Sequence, residues 1–320
     1  MPDELAKPHH TKVVEVADAP RSQFDPEKTK SEPFTFKKFL LNEVILPLLF
    51  DSFKLSRRAR SFFALTNGMQ RNMRWRLYEL ARKRMPPLRR RPRLTHTAHM
   101  PAVSLSFAGA TFVPQPCGAL FWPARNALLV ADLHLEKASF YGVHGQFLPP
   151  YDSFDTLACL IDAVEATGAT RLWCLGDSFH DTGGAERLPL PARDTLRRLT
   201  RDLDWVWITG NHDDSSAGVL GGRVMVEAAI DGIMLRHEAT RDPAPEISGH
   251  YHPKLRLTLR GRRIVRRCFA VTPSKLVLPA YGALTGGLDV TDPAFARAIG
   301  GPLSALVATK AKLLRFQVAA

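Results

Sequence analysis

Apolar segments that end in metal-ligating residues are the feature of this sequence that most constrains its fold. Five such segments run directly into Asp, His or Asn, and most have a Gly beside the polar residues. Their ends are ADLH (131–134), GD (176–177), GNHD (210–213), RHE (236–238) and GHYH (249–252). Sites in open α/β sheets form at the carboxyl ends of strands, so we expect these groups to converge, although about 120 residues separate the first from the last.

The pattern around these segments predicts an α/β fold. Strands are predicted at 103–107, 110–113, 118–123, 127–134, 171–177 and 204–213, and helices at about 153–167 and 192–203. Alternation of strands and helices between 127 and 213 is typical of an α/β sheet. Shorter strands follow, including a hairpin that turns at Gly261 and a final pair at 303–309 and 312–318.

The net charge of +13 lies almost entirely in the N-terminal third. Residues 1–99 hold 21 Lys and Arg against 10 Asp and Glu, and the remainder holds 23 against 21. We therefore predict a basic extension over 1–99, partly disordered or helical, and one domain over 100–320. Either the extension binds phosphate by counterion release, or it is an accessory or mis-assigned segment, because Met100 directly precedes the first strand. We favour the second interpretation.

Several features favour a cytoplasmic protein without membrane contact. The most apolar stretch, 39–50, is shorter than the roughly 18 residues of a membrane span and contains Asn42, Glu43 and Pro47. The N-terminus lacks the basic start and apolar core of a signal peptide. The four cysteines are far apart and form no CxxC pair, which argues against a disulfide framework.

The polar groups at the strand ends suit a pair of divalent metal ions. Carboxylates, imidazoles and an amide, without thiolate, favour Mn, Fe, Zn or Ni. Two ions about 3.5–4 Å apart that share a carboxylate would use all the groups. The i, i+2 spacing in Asp132/His134 and in His250/His252 would aim both side chains of each pair the same way in an extended backbone. Each short motif alone is a weak signal, whereas the ordered set is specific. The candidate ligands are Asp132, His134, Asp177, Asn211, His237, His250 and His252.

This ordered set resembles the calcineurin-like metallophosphoesterase superfamily. The resemblance rests on ADLHLEK (131–137), LGDSFHD (175–181), TGNHD (209–213), LRHE (235–238) and SGHYHP (248–253), within residues 101–320. It implies a four-layer α/β/β/α sandwich with two metal ions, expected to be Mn²⁺, at the edge of two central sheets. By motif position, one ion would be held by Asp132, His134 and His252 and the other by Asn211, His237 and His250, with Asp177 between them.

Longer stretches are similar to the bacterial ligase-associated DNA damage response endonuclease family, PdeM. They include DLHLEKASFY (132–141), LPPYDSFDTL (148–157) and LVLPAYGALTGGLDV (276–290), and the first 99 residues lie outside them. This resemblance implies a metal-dependent DNA endonuclease that acts in repair, with a DNA ligase and an associated repair exonuclease or helicase as partners.

His212 and Asp213 are the predicted catalytic pair. Two bound cations would lower the pKa of a water and polarise the phosphoryl oxygens. His212 would donate to the phosphoryl group or protonate the leaving oxygen, and Asp213 would orient its imidazole. The alternative role for Asp213 is to cap the turn that follows.

Substrate contacts are expected in the cationic hairpin that follows His252. Residues 254–275 contain eight Lys and Arg and no acid, which suits a DNA backbone but also describes an ordinary amphipathic hairpin. No recognition helix or aromatic stacking platform is evident in the sequence. A small-molecule phosphodiesterase or phosphomonoesterase, and a non-catalytic interaction module, remain as alternatives to the DNA endonuclease. The candidate substrate contacts are Arg256, Arg260, Arg262, Arg263 and His180.

Overall fold

The computed structural model of the protein describes residues 103–211, 215–259 and 261–318. The predictions for residues 1–99, for His212 and Asp213 and for Arg260 lie outside these ranges. Within them, no helix has the length and apolar character needed to cross a membrane.

The first sheet has seven strands in chain order. β1 to β4 are joined as antiparallel neighbours, whereas β4, β5, β6 and β7 run parallel. The strands are β1 (Leu105–Phe107), β2 (Ala110–Pro114), β3 (Leu120–Trp122), β4 (Ala127–Val130), β5 (Arg171–Leu175), β6 (Asp204–Ile208) and β7 (Arg223–Met225).

Four helices connect the parallel strands of this sheet. They are α1 (Lys137–Val143), α2 (Asp152–Thr167), α3 (Gly184–Arg187) and α4 (Leu190–Asp202), and 3₁₀ turns lie at Pro123–Arg125 and Ser215–Leu220. Gly168 ends α2 in the left-handed conformation (φ 67°), and its N–H donates to the carbonyl of Val164. The sequence predicts α2 and α4 to within two residues, but α1 and α3 are too short to show helical periodicity.

The second sheet also has seven strands, in the order β16-β15-β13-β14-β10-β9-β8. Its centre, β9, β10 and β14, is parallel, and the remaining neighbours are antiparallel. Strands β11 (Lys254–Leu259) and β12 (Arg262–Arg267) form a separate hairpin, and α5 is Pro293–Ile299. The sheet strands are β8 (Ala228–Ile230), β9 (Ile233–Leu235), β10 (Glu246–Ser248), β13 (Phe269–Val271), β14 (Lys275–Val277), β15 (Leu303–Ala308) and β16 (Leu313–Val318).

Alternation along the buried strands produces the layers. Leu128 of β4 packs in one buried cluster with Leu157 of α2 and Leu196 of α4. Its neighbour Leu129 faces the opposite way and joins a cluster shared by the two sheets, which includes Ile247 of β10. A third cluster covers the outer face of the second sheet with residues of α5. The result is the expected four-layer α/β/β/α sandwich, in which two sheets lie between helices.

Candidate metal centre

Five loops meet at the carboxyl ends of β4, β5, β6, β9 and β10. Hydrogen bonds join the two sheets there, because the N–H of Tyr281 donates to the carbonyl of Ala131 (2.8 Å) and that of Gly282 to the carbonyl of Asp132 (3.1 Å). The loops themselves are also tied together, since the N–H of Gly249 donates to the carbonyl of His237 (2.8 Å). The side chains in these loops therefore lie in a fixed arrangement.

One group of potential ligands contains Asp132, His134 and His252. Nε2 of His134 lies 3.2 Å from Nε2 of His252, and Nε2 of His252 lies 3.4 Å from Oδ1 of Asp132. Asp132 and His134 are buried, and His252 is partly exposed. Ligand atoms that share an ion at about 2.1 Å lie about 3–3.5 Å apart, so these distances fit a single divalent ion.

A second group lies around His237. Its Nε2 is 3.4 Å from Oδ1 of Asp177 and 3.1 Å from Nδ1 of His250, and Nδ1 of His250 is 3.4 Å from the side-chain amide of Asn211. A half-turn of that amide presents its oxygen in the same place. Asp177 connects the two groups, because its other oxygen, Oδ2, lies 3.8 Å from Nε2 of His134. The structure thus brings all seven candidate ligands together.

Neighbouring groups select which atom each ligand presents. Nδ1 of His237 lies 3.0 Å from the carbonyl of Leu175, to which its N–H donates, so Nε2 is left to face the centre. Nε2 of His250 is directed towards Glu238 (3.8 Å), which leaves Nδ1 to face His237. The backbone N–H of His250 donates to both oxygens of Asp132 and orients this buried carboxylate.

The electrostatics favour a neutral imidazole at His250. Burial lowers the pKa of His250, and the neighbouring His237 lowers it further, while Glu238, Asp132 and Asp177 act in the opposite direction. The neutral form is the one that coordinates a metal ion. This side chain is therefore suited to bind metal near neutral pH.

The backbone at the ligands differs from the extended form considered from the sequence. Asp132, His134, Asp177, His250 and His252 all have positive φ, between 41° and 69°. The predicted strands 127–134 and 171–177 accordingly end earlier, at Val130 and Leu175, and the predicted strand 204–213 ends at Ile208. Such backbone is costly for residues other than glycine, and it concentrates at functional sites.

The left-handed backbone also changes how paired ligands are directed. His250 faces His237 and Asn211, whereas His252 faces His134 and Asp132. The extended backbone that would point His250 and His252 the same way is absent here, and the two side chains diverge. Their separation agrees instead with the assignment to different ions that the resemblance implies.

Two glycines allow the loops to approach this closely. A Cβ at Gly176 would overlap the ring of His237, and a Cβ at Gly210 would overlap the backbone nitrogen and Oδ1 of Asp177. Any larger residue at either position must displace a candidate ligand. The glycines in the GD and GNHD segments are thus explained by packing against the centre.

The hairpin formed by β11 and β12 carries cations on both faces. Residues that pair directly across antiparallel strands share a face, which places Lys254 with Arg267 and Thr258 with Arg263. Arg256 alternates onto this same face, whereas Arg262, one residue from Arg263, lies on the other. The candidate contacts Arg256 and Arg263 therefore lie together, apart from Arg262.

Two kinds of residue near the centre escaped the sequence analysis. Lys137 is the last residue of the ADLHLEK motif, and its charge contributes to lowering the pKa of Lys254. Phe140 and Tyr141 of α1 contact the ring of His180, which in turn contacts His134. The sequence signal for these rings is the aromatic pair Phe140 and Tyr141 in KASFY, soon after the DLH segment.

The donor set fits divalent metal. The described residues contain two clusters whose ligand atoms lie within 4.8 Å of one another, Asp132/His134/His252 and Asp132/Asp177/His237. Oxygen and imidazole donors without thiolate, most of them buried, suit ions such as Mn, Fe or Zn. The arrangement indicates a divalent-metal site.

Comparisons with known proteins show structural similarity. No protein-family model matches the sequence, and no curated protein matches it. A solved structure, the nuclease MPE of Pseudomonas putida, is 27% identical, covers 67% of this chain and 99% of its own, and has a TM-score of 0.52.

Two further solved structures are more distant, and their similarity is too low to support an argument. The phosphoesterase Yfce of E. coli is 13% identical, covers 60% of this chain and 99% of its own, and has a TM-score of 0.32. Vacuolar protein sorting 29 of Cryptosporidium parvum is 16% identical, covers 60% and 95%, and has a TM-score of 0.26.

Of these three structures, the P. putida nuclease is the one similar enough for its fold to be compared with that of this chain. Its similarity agrees with the two stacked sheets of this chain. The chain therefore has the fold of the calcineurin-like metallophosphoesterases.

Proposed function

We propose that the protein is a phosphodiesterase that uses two metal ions to cleave DNA, as a repair endonuclease. The observation that carries the proposal is the convergence of seven oxygen and nitrogen donors from five loops into two linked groups. A non-catalytic interaction module has no need for this many ligands in one place. The neighbour of known structure is a nuclease, which supports a nucleic acid as substrate.

We assign the ligands as two sets that share Asp177. One ion would be held by Asp132, His134 and His252, and the other by Asn211, His237 and His250. Asp177 suits the shared position because its two oxygens face different sets, Oδ2 towards His134 and Oδ1 towards His237. Asp132 also contacts His237, but both its oxygens already accept the N–H of His250.

The ions, which we expect to be Mn²⁺, would lower the pKa of a water and neutralise charge on the phosphoryl group. The chain's own part is to hold the ligands rigidly and to exclude alternative arrangements through the hydrogen bonds of the loops. His212 is proposed to protonate the leaving oxygen, and Asp213 to orient the imidazole of His212. His180, whose ring contacts that of His134, is proposed to contact the substrate beside the centre.

A cluster of cations supports a polyanionic substrate. Burial lowers the pKa of Lys254, and the charges of Arg267, Arg256 and Lys137 lower it further. This mutual repulsion is only partly offset, since Asp289 lies 3.6 Å from Arg256. A phosphate backbone would relieve the repulsion, so we propose that these residues contact DNA without reading its sequence. A ligase and a repair exonuclease or helicase in the cytoplasm are the partners that fit this role.

Two substitutions test the proposal with separate measurements. Replacing Asp177 by Ala removes the shared ligand, and we expect mass spectrometry of the metal content to show loss of bound Mn²⁺ together with loss of turnover. Replacing His212 by Ala should leave the metal content near normal and lower turnover about 10²- to 10⁴-fold, the range for general acid catalysis. An Asp177→Ala protein with two metals and full turnover would contradict the assignment.

The substrate is tested by giving the Mn²⁺-loaded protein single-stranded DNA and bis-p-nitrophenyl phosphate in parallel. Cleavage of both is expected. If the protein cleaves the small diester but none of the DNA structures tried, a small-molecule phosphodiesterase on the same scaffold is favoured.

For the His212→Ala variant, loss of the bound metal ions would show that His212 is a ligand and that its assigned role is wrong.

A further inference from the structure

Three partly exposed aromatic rings contact one another beside the metal centre. The ring of His180 meets that of His134 edge-on, with centroids 5.7 Å apart. Tyr141 stacks against His180 at 5.7 Å with an angle of 28° between the planes, and Phe140 meets His180 edge-on at 4.8 Å. We call Phe140, Tyr141 and His180 the aromatic wall.

Anchoring of α1 does not require these rings. The buried residues of α1 are the small ones, Ala138, Ser139 and Gly142. The N–H of Ala138 donates to Oδ2 of Asp152 (2.9 Å). The hydroxyl of Ser139 accepts from Nε of Arg187 (3.0 Å). Phe140 and Tyr141 therefore keep part of their ring surface in solvent although the helix is held by other contacts.

We propose that the aromatic wall stacks a nucleobase that adjoins the phosphodiester held at the metal centre. This inference rests on the proposed function, since it names the part of the substrate that lies beside the scissile bond. Every base has an aromatic face, so stacking tolerates any sequence, in keeping with a site that has no base-reading helix. The wall adjoins a candidate ligand, because the ring of His180 meets that of His134, and it therefore lies beside the place where the reacting phosphate would be held.

Charge near the wall completes a nucleotide-shaped site. Lys137 is the first residue of the helix that carries Phe140 and Tyr141. One helix thus presents two of the rings for a base and a cation, Lys137, for a flanking phosphate. A base inside a duplex is already stacked and paired, so only an unpaired base can use the wall.

The proposal is tested by comparing two oligonucleotides, each with the wild-type protein and with a variant of the wall. The substrate is a single-stranded oligonucleotide in which one phosphodiester is natural and the flanking linkages are uncleavable methylphosphonates. It is made with bases, or with abasic residues, on both sides of the natural linkage. For the wild-type protein we expect kcat/KM to be about 5- to 100-fold higher with bases present, the range for stacking of one base on an aromatic ring.

The variant Tyr141→Leu keeps an apolar side chain but removes the ring. Its ratio of kcat/KM for the base-containing to the abasic oligonucleotide should fall from the wild-type value to near one. Val143→Ala, at an exposed apolar position of the same helix, is the matched control and should keep the full preference.

The outcomes separate this inference from the proposed function. A wild-type protein that cleaves both oligonucleotides equally, or a Tyr141→Leu protein that loses the same factor on both, overturns the stacking role. A wild-type protein that cleaves neither oligonucleotide, yet hydrolyses bis-p-nitrophenyl phosphate, contradicts the nuclease function itself and removes the substrate on which the inference depends.

Discussion

At the scale of single residues, the centre is built from backbone that the chain would not adopt alone. Five of the seven candidate ligands have positive φ, a conformation that costs roughly 1–2 kcal/mol for a residue with a side chain. Hydrogen bonds between loops offset this cost, because the N–H of His134 donates to the carbonyl of Asp177 (2.9 Å) and that of Asp132 to the carbonyl of Gly176 (3.1 Å). The ligands are therefore preorganised by their neighbours.

Replacing Gly210 by Ala tests how tightly the loops must approach. The new methyl group would overlap the backbone nitrogen and a side-chain oxygen of Asp177, so we expect Asp177 to move. Displacement of this candidate ligand should lower turnover of bis-p-nitrophenyl phosphate by about tenfold or more, and it should weaken Mn²⁺ binding. Titration with Mn²⁺, followed by turnover, measures both effects.

Gly286 provides the matched control for this substitution. A Cβ there would meet no atom within 4 Å, so Gly286→Ala should leave metal affinity and turnover unchanged. If Gly210→Ala and Gly286→Ala have the same Mn²⁺ affinity and the same turnover, the close approach of Gly210 to Asp177 is not needed for either.

At the scale of elements, a buried ion pair joins the parallel strands β10 and β14. Glu246 and Lys275 are directly paired in register, and Nζ of Lys275 lies 2.8 Å from Oε1 of Glu246. Both side chains are almost fully buried, at 1% and 3% exposure. Nζ also donates to the carbonyls of Asp242 and Ala244, so the loop before β10 is tied to the same lysine. β10 leads directly to His250 and His252, which links this pair to the position of the centre.

Replacing Lys275 by Met should destabilise the protein by about 3 kcal/mol, because the buried carboxylate of Glu246 would lose its nearest cation and keep only Arg236, at 3.9 Å, as a charged partner. Chemical denaturation followed by circular dichroism measures the free energy of unfolding. The cross-strand pair Arg171–Asp204 of β5 and β6 is the control, since it is about 40% exposed. Arg171→Met should cost no more than about 1 kcal/mol. Similar losses for the two variants would contradict the importance of burial.

At the scale of the whole molecule, two sheets share one core and meet at one functional edge. The three buried clusters draw on residues from Leu105 to Val307, and the one between the sheets contains residues from both. Hydrogen bonds at Ala131 and Asp132 fasten the sheets together where the ligands lie. The site therefore depends on the relative position of the two sheets.

A chain that starts at Met100 retains every residue of these clusters. We expect it to unfold cooperatively and to hydrolyse bis-p-nitrophenyl phosphate as the full-length protein does. Scanning calorimetry and turnover measure this. Loss of affinity for DNA with intact hydrolysis would assign residues 1–99 to binding, and an unfolded product would show that the boundary at 100 is wrong.

The succession of strands along the chain and the segments that bear the ligands could be predicted from the sequence, because both follow from local patterns. Short, continuous apolar runs mark β4, β5 and β6, and the 3.6-residue period marks α2 and α4. The polar residues after each strand could be assigned to one edge, since parallel strands present their carboxyl ends together. These features depend on residues close in the chain.

Only the tertiary structure decided how those groups meet. The left-handed backbone at Asp132 and His250 is stabilised by hydrogen bonds to distant loops, so no local sequence pattern predicts it. Because of this backbone, His250 and His252 lie in different groups of ligands. The aromatic wall arises for the same reason, because Tyr141 and His180 come from separate crossovers. The sequence determined which chemistry is available, and contacts between residues far apart in the chain determined where each group points.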